Sequence, residues 1–227
     1  MLVKARLVLS LGAWFVFATC LAALAAENVV RDAPLVDAVR RGDKAAVQVL
    51  LKKKVDVNAP MSDGATALHW AAYLSDAETS ALLIKAGANV NARNNLGVTP
   101  FALAAKQGNA VILGQLMNAG ADPNDPINFV NAAETPLMHA ARAGSVEAVN
   151  LLVRAGAKIN ARETWNGQTA LMWAAAEGHT GVVQALIDGG ADPSARSNGT
   201  TTALLFAVRK GNIDTVKAFL AAGVNVN

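Results

Sequence analysis

The chain has 227 residues, of which 53% are hydrophobic and 16% charged, which argues against disorder and provides enough apolar material for one domain or a repeat array. Aromatic residues make up only 5%, and the apolar excess comes mainly from Ala, Leu and Val, which favours closely packed helices over a strand-rich sandwich. The formal net charge is +3 and the only dense basic run is residues 52–54, so a broad nucleic-acid-binding face is disfavoured.

The first residues have the features of an export signal. Two basic residues precede an apolar stretch that spans residues 7–24. The stretch ends near small residues at Ala23 and Ala25, which suit a signal peptidase. We therefore predict a signal peptide over residues 1–25, a short linker over residues 26–32 and a periplasmic or secreted mature protein.

Two alternatives for this segment stay open. An apolar run of about 18 residues is just long enough to cross a bilayer as an uncleaved anchor, and only in that case do we expect the protein to contact a membrane. The segment also loosely resembles a lipoprotein cleavage box at Cys20, although Thr19 and the apolar residues that follow fit poorly. Cys20 is the only cysteine, so a chain cleaved after Ala25 has neither a disulfide nor a thiolate.

A repeat of 33 to 36 residues occupies the rest of the chain. Three markers recur with the same spacing: a Thr followed two residues later by a large apolar residue, a Gly in mid-repeat and a Gly near the end of each copy. The threonines are Thr66, Thr99, Thr135, Thr169 and Thr202. The mid-repeat glycines are Gly42, Gly108, Gly144, Gly178 and Gly211, with Ser75 at the remaining position. The late glycines are Gly87, Gly120, Gly156, Gly190 and Gly223.

Each copy predicts two helices, most clearly in the fifth. Residues 169–177 are Ala-rich and predict a short helix with Thr169 as its N-cap. Gly178 is expected to end this helix, because a residue just past a helix often has a positive φ. Residues 180–188 predict a second helix with its apolar positions on one face. The turn-rich residues 191–199 predict a loop or hairpin that leads to the next unit.

A single helix pair cannot cover its own apolar faces, so neighbouring units must stack. The predicted fold is therefore an all-α solenoid of about six stacked helix-turn-helix units with hairpin-like loops. The predicted units span approximately residues 33–63, 64–96, 97–133, 134–166, 167–200 and 201–227.

The units resemble ankyrin repeats in the motifs TALHWAA, TPLMHAA, TALMWAAAEGH and AGANVNAR. The resemblance covers residues 33–227, nearly the whole predicted mature chain. It implies a rigid stack in which the inner helices and loop tips form a concave recognition surface. It also implies that His69 and His179 form hydrogen bonds with neighbouring loops.

Three departures from the repeat predict local differences. The second copy has Ser75 in place of Gly, and Thr79 and Ser80 in place of an Ile/Val pair, so its second helix should pack less well. The loop over residues 122–133 is longer and should protrude or bend the stack. The last copy has no polar cap after it. Either an exposed apolar edge is tolerated, or the sequence is a fragment of a longer array or chain.

The sequence predicts no enzyme activity, no metal site and no cofactor. His139 takes a helix position that other copies fill with Trp, Leu or Phe, so core or groove lining is favoured over metal binding. Glu163 and Glu177 could serve as an acid and a base, but we expect both on solvent-facing positions without a shared pocket. No phosphate loop, nucleophile elbow, zinc signature or dinucleotide fingerprint is present. Asn198-Gly199 is typical of a hairpin turn and, with Thr200, also matches a glycosylation acceptor.

The variable positions of the repeats predict a partner surface. Trp70 and Trp173 occupy equivalent positions and are expected to wedge between helices of adjacent units. Trp165 instead lies in a loop where other copies have small or polar residues, and an exposed Trp is a good interface anchor. Recurring arginines predict a modestly basic face for an acidic or phosphorylated protein, with simple solvation of these arginines as the alternative. The predicted partner-binding residues are Trp165, Arg162, Arg93, Asn95, Arg196, Tyr73 and Arg142.

The function predicted from these features is that of a non-catalytic, exported protein–protein interaction scaffold. It should bind another protein through its concave face and loop tips. The alternative is the N-terminal recognition region of a longer enzyme or adaptor that continues beyond Asn227.

Overall fold

The computed structural model describes residues 33–127 and 133–224. Over these ranges it contains twelve α-helices and no β-strand, which confirms the predicted all-α solenoid. The helices are α1 Pro34–Arg40, α2 Lys44–Lys52, α3 Ala67–Tyr73, α4 Ala77–Lys85, α5 Pro100–Lys106, α6 Ala110–Asn118, α7 Pro136–Ala143, α8 Val146–Arg154, α9 Ala170–Glu177, α10 Thr180–Asp188, α11 Ala203–Lys210 and α12 Ile213–Ala221. The predicted signal peptide and linker lie outside the described residues. No helix in the described ranges has both the length and the apolar character needed to cross a bilayer.

The first helix of a unit begins at the recurring threonine, as predicted. In the fifth unit the Thr169 hydroxyl accepts a hydrogen bond from the Met172 amide at 3.4 Å, which satisfies one of the free N–H groups of the first helical turn. The same helix ends at Gly178, whose φ is +79°, a conformation that glycine adopts without the steric cost of a Cβ. The second helix of that unit has the predicted limits, Thr180–Asp188.

The helices form two rows. The odd-numbered first helices contact one another from α1 to α11, and the even-numbered second helices do so from α4 to α12. The first helices approach closely because alanine recurs at one register, and these alanines are at most 1% exposed. They are Ala38, Ala71, Ala104, Ala140, Ala174 and Ala207. A single apolar core therefore runs through all six helix pairs.

Asparagine side chains join consecutive units near the ends of the second helices. The Asn58 amide donates to the Gly87 carbonyl at 3.2 Å, and its oxygen accepts from the Asn89 N–H at 2.7 Å. Asn124 and Asn160 make the same pair of bonds to the units that follow them. Each of these side chains satisfies backbone groups of another unit, and so fixes the distance between the two units.

Two histidines also connect units, as the family resemblance implied. His69 Nδ1 accepts from the Thr66 N–H at 3.1 Å, which leaves Nε2–H to donate to the Val98 carbonyl at 2.9 Å. His179 Nε2 lies 3.1 Å from the Arg142 carbonyl oxygen. His69 is only 2% exposed, so its ring is part of the core.

The second unit differs where the sequence predicts a difference. Ser75 takes the left-handed conformation, with φ +59°, that glycine has at the equivalent positions. Thr79 and Ser80 are fully buried in α4, and the Ser80 hydroxyl has no hydrogen-bond partner among the described residues. A buried hydroxyl without a partner is destabilising, which agrees with the weaker packing expected for this helix.

The long loop closes at its base. The Ile127 N–H donates to the Glu134 carbonyl at 2.8 Å, and the Ile127 side chain is buried in a small cluster with Val98 and Ala102. The loop tip, residues 128–132, lies outside the described residues, so its protrusion stays a prediction.

The far side of α11 is not covered by another helix among the described residues. Leu205 is 48% exposed and Val208 is 55% exposed, whereas their counterparts Met172 and Ala175 are at most 1% exposed. Within the described residues the sixth unit therefore has an exposed apolar edge, as the sequence predicts.

Asn198 and Gly199 lie in a hairpin turn, as predicted. The residue with a positive φ, however, is Thr200 rather than Gly199. The Thr200 N–H donates to the Ser197 carbonyl at 2.9 Å, and Arg196 and Thr202 pair across the turn. The positive φ, +63°, belongs to Thr200, which stands where Gly167 stands in the preceding unit. A β-branched residue in this conformation is strained.

We predict that Thr200→Gly raises the free energy of unfolding by about 1 kcal/mol, because it removes the steric cost of a Cβ at positive φ. Thr200→Ala is the matched control: it retains a Cβ, so its free energy of unfolding should rise little. Urea denaturation followed by circular dichroism measures both variants. A Thr200→Gly variant no more stable than Thr200→Ala would contradict the predicted strain.

We predict that stability falls as the pH is lowered from about 6.5 to 5. Burial lowers the pKa of His69 and of His139 below the ordinary histidine value, so the unfolded chain takes up protons that the folded chain resists. Asp76 and Asp192 do not change the stability in this pH range. Their pKa values are lowered from the ordinary value of 3.8, so the stability that they contribute is lost only at a lower pH.

The measurement is the urea midpoint as a function of pH. His69→Gln and His139→Gln should each flatten the dependence, even if their stability is lower throughout. A wild-type midpoint that stays constant or rises between pH 6.5 and 5 would show that these histidines are not held neutral by burial.

Candidate protein-interaction surface

Two cavities open between the row of first helices and the loops that connect the units; we call the surface that contains them the inner groove. The first has a volume of about 150 Å³ and is lined by Asp63, Ala65, His69, Trp70, Tyr73, Asn94 and Leu103. The second has a volume of about 170 Å³ and is lined by Arg142, Gln168, Trp173, Ala176 and Glu177. Each cavity thus combines an indole with polar side chains, a composition typical of a recognition site.

Trp70 packs against the core, as predicted, but one side of it also borders the first cavity. The Arg40 guanidinium of the preceding unit lies 4.8 Å from the centroid of its ring. Tyr73 meets the same ring edge-on, with centroids 5.7 Å apart, and is 50% exposed. Tyr73 is therefore accessible from the groove, as expected of a partner-binding residue.

Trp173 has an equivalent environment in the second cavity. The Arg142 guanidinium, again from the preceding unit, lies 5.6 Å from its ring centroid. Arg142 is 62% exposed, and its Nε lies 3.7 Å from the Glu177 carboxylate, which is also 4.0 Å from Lys210. Glu177 thus lies among cations and is partly exposed, as expected.

His139 lies in the core beside Trp173. Its ring is 5% exposed and meets the indole edge-on at a centroid distance of 5.6 Å. Nε2 lies 2.7 Å from Glu134 Oε2, a carboxylate that precedes the helix. Burial lowers the pKa of His139, although the Glu134 carboxylate opposes this shift. The expectation that His139 lines the core or groove is confirmed, whereas the pairing with Glu134 had no signal in the sequence.

The loop arginines hold the loops in place. Arg93 forms an ion pair with Asp125 at 2.6 Å and donates to the Gly97 carbonyl at 2.9 Å. Arg162 donates to the Arg196 carbonyl of the next loop, and Arg196 donates to the Thr200 carbonyl within its own loop at 3.1 Å. These side chains therefore have a structural role in addition to any contact with a partner.

The loop tips are also tied to one another. Asn95 donates to the Ser62 carbonyl at 3.0 Å, and Asn198 makes the equivalent bond to the Trp165 carbonyl at 3.1 Å. The Asn198 N–H donates to the Asn166 carbonyl at 2.7 Å. The structure thus brings Trp165, Arg162 and Arg196 together on adjacent loops, while Asn95 lies in a separate loop.

Glu163 is buried, so the expectation that it faces solvent is wrong. It is 4% exposed, and its carboxylate accepts hydrogen bonds from the N–H groups of Trp165 at 2.7 Å, Asn166 at 2.9 Å and Gln168 at 2.9 Å. The backbone N–H groups of the turn that follows Glu163 converge on its carboxylate, whose two oxygens accept a hydrogen bond from each of them.

Trp165 lies on the loop that the Glu163 carboxylate holds, and its side chain is exposed to solvent. Its side chain is 65% exposed, although the loop backbone beneath it is fixed by the buried carboxylate.

Glu163 and Glu177 have different surroundings and share no pocket. Within residues 33–127 and 133–224 no cluster of three or more His, Cys, Asp or Glu side chains is placed to hold a metal ion.

We predict that Glu163→Gln lowers the free energy of unfolding by about 1–3 kcal/mol, because an amide presents one acceptor oxygen and turns its NH₂ group towards backbone donors. Trypsin cleavage after Arg162 should become faster, because the loop is released. Glu147→Gln, an exposed change on α8, is the control and should alter stability by less than about 0.5 kcal/mol. Unchanged stability and cleavage in Glu163→Gln would show that the carboxylate does not fix the loop.

Comparison with known proteins agrees with this architecture. The family model "Ankyrin repeats (3 copies)" matches residues 17–94, 35–127, 78–163, 101–197 and 137–227. The crystal structure of the ankyrin repeat protein EF0377 is similar with a TM-score of 0.72 and 28% sequence identity, over 82% of this chain and 96% of that one.

Curated relatives match over shorter stretches. Ankyrin repeat and SAM domain-containing protein 6 of Rattus norvegicus is 38% identical over 104 residues, which are 45% of this chain and 12% of that protein. The mitochondrial disaggregase of Bos taurus is 45% identical over 64 residues, 28% of this chain and 9% of that protein. The six leading curated relatives are matched over 3% to 12% of their own lengths. Because the family matches extend from residue 17 to residue 227 and the helix pairs stack at the repeat spacing, the chain belongs to the ankyrin repeat family.

Proposed function

We propose that this chain is an exported, non-catalytic scaffold that binds another protein through its inner groove and loop tips. Ankyrin repeats generally mediate protein–protein interaction. The observation that carries the proposal here is Trp165, an indole 65% exposed on a loop that a buried carboxylate holds in one conformation.

A rigidly held, exposed Trp is suited to binding. Its burial by a partner removes a large apolar surface from water, and truncation of such anchors commonly costs about 2 kcal/mol or more. Because the loop is already ordered, little conformational entropy is lost when the partner binds. The residue has no apolar role in the core that would otherwise explain its presence.

The same loops favour a protein over a nucleic acid as the partner. A nucleic-acid site neutralises several phosphates with lysines and arginines. Here Arg93 is paired with Asp125, while Arg162 and Arg196 donate to loop carbonyls. These three guanidinium groups therefore already interact with groups of the loops, which leaves fewer of their N–H donors for phosphates.

Export is part of the proposal and is supported by the N-terminal sequence alone. Basic residues, an apolar stretch and small residues before the predicted cleavage after Ala25 favour a periplasmic or secreted protein. The absence of cysteine from the predicted mature chain suits an oxidising compartment.

A second candidate is the recognition part of a longer enzyme or adaptor. It is favoured by the small share of each curated relative that the chain spans, one of those relatives being a disaggregase. In that case the repeats would select the target and another domain would act on it. The reading frame that encodes the protein distinguishes the two candidates.

We predict that Trp165→Ala reduces capture of the natural partner about 10-fold or more, because it removes an interface anchor. The mature chain from residue 26 is used as bait in periplasmic or secreted extract. Val111→Ala is the matched control, because Val111 is a 62% exposed apolar residue on α6, in the row of second helices and away from the loop tips.

Circular dichroism and urea midpoints establish that both variants are folded. Loss of the partner in Trp165→Ala, with retention in Val111→Ala, supports binding through the loop edge. Capture by Trp165→Ala at the wild-type level would remove Trp165 from the interface, and failure of the wild type to capture any protein would count against the scaffold.

A further inference from the structure

We infer that the inner groove selects an extended, acidic segment of the partner that has two apolar or aromatic anchor residues about eight positions apart. This inference rests on the proposed function and names the chemistry of the partner at that groove.

The first observation is that one arrangement of side chains occurs twice. Arg40 lies over the Trp70 ring at 4.8 Å, and Arg142 lies over the Trp173 ring at 5.6 Å. In both pairs the arginine lies in the last turn of the first helix of one unit, and the indole belongs to the next unit. The two arginine–tryptophan pairs occupy the same repeat register, three units apart.

The indole of each pair borders a cavity that fits one side chain. The first cavity, about 150 Å³, has apolar walls formed by Trp70, Tyr73 and Leu103. The second, about 170 Å³, has Trp173 and Ala176 on its apolar side. An engineered cavity of about 150 Å³ holds a benzene molecule, so each cavity is large enough for a branched apolar or aromatic side chain.

The charges along the groove favour an acidic ligand. The cations in the last turns of the first helices are Arg40, Lys106, Arg142, Arg209 and Lys210. Two acidic residues lie in the corresponding turns of the described helices: Asp37, which is 3.7 Å from Arg40, and Glu177, which lies within 4.0 Å of Arg142 and Lys210. The groove therefore has a positive excess.

Acidic groups near the first cavity are already bonded within the protein. Asp37 lies 3.7 Å from Arg40 on α1, and Asp63 at the cavity rim accepts a hydrogen bond from the Ala65 N–H at 2.9 Å. The first-cavity pair is thus less positive than the second. We expect the stronger carboxylate contact at Arg142, which is 62% exposed.

The neighbouring indole attracts each guanidinium through a cation–π interaction and so limits its motion before a ligand binds. The guanidinium N–H groups can donate to a ligand carboxylate in competition with Asp37 at Arg40 and with Glu177 at Arg142. A carboxylate beside each anchor can then bind without the entropy cost of ordering a free arginine.

The distance between the pairs sets the spacing of the anchors. Packed helices lie about 8–10 Å apart, so three units separate the pairs by about 27 Å. An extended chain covers about 3.3 Å per residue, which places the anchors about eight residues apart. A helical ligand rises only about 1.5 Å per residue and would need about 18 residues for the same span.

The experiment selects ligands without presuming their sequence. A displayed library of random 16-residue peptides is selected against the folded chain from residue 26, and selected peptides are measured by fluorescence anisotropy. We expect an excess of Asp and Glu and two apolar or aromatic residues about seven to nine positions apart. Moving one anchor to a spacing of five should weaken binding about tenfold.

Arginine variants test the groove itself. Arg40→Gln and Arg142→Gln should each weaken a selected peptide about tenfold, with the larger effect at Arg142, because each loses a charged hydrogen bond. Arg154→Gln is the matched control: it makes the same charge change on α8, where Arg154 donates to the Asn150 carbonyl, and should change affinity less than twofold.

Selected peptides without acidic excess or paired anchors, or no enriched peptides at all, would overturn the inference. So would equal effects of the three arginine variants. If these results appear while Trp165→Ala still loses the natural partner, the scaffold stands and only the groove ligand is wrong. If the natural partner is also insensitive to Trp165→Ala, the proposed function fails independently.

Discussion

The contact between the first helices of successive units is the interaction on which the structure depends. Met172 is 1% exposed because the sixth unit covers it, whereas Leu205, its counterpart with no described neighbour, is 48% exposed. The alanine at the closest approach in each first helix makes this contact short, so a larger side chain there would push neighbouring units apart. Each unit is therefore stable only as part of the stack.

The same stacking orders the loops, which gives the fold its functional surface. Asn58 and His69 bond to backbone groups of the next unit, and Asn198 bonds to the loop that carries Trp165. The loops are thus held by hydrogen bonds across the unit boundaries as well as by their own turns. A surface built in this way can display an exposed indole without losing its shape.

The helices and their ends could be predicted from the sequence because their signals are local. A threonine N-cap and a glycine at positive φ act on residues within one turn, so Thr169 and Gly178 mark the limits of α9 without knowledge of the rest of the fold. The exposure of Trp165 was also predictable, because the repeat register showed that its position has no core role.

The polar interactions could not be predicted, because they depend on which backbone groups the fold brings close to a side chain. Glu163 is an acidic residue in a loop by sequence, yet three amides converge on it and it is buried. Glu134 meets His139 only once the base of the long loop is closed by the Ile127 pairing. The loop arginines likewise bind carbonyls that no motif identifies.

Hydrogen exchange of the backbone amides in the chain from residue 26 tests the central claim most directly. If the stack presents a rigid surface, the amides of Trp165, Asn166 and Asn198 exchange slowly, at rates close to those of α9 and α10, because each is hydrogen-bonded to a buried carboxylate or a neighbouring loop. Exchange of these amides at the rate of an unstructured chain, with the helices still protected, would show that the loops are mobile and would contradict a preformed binding surface.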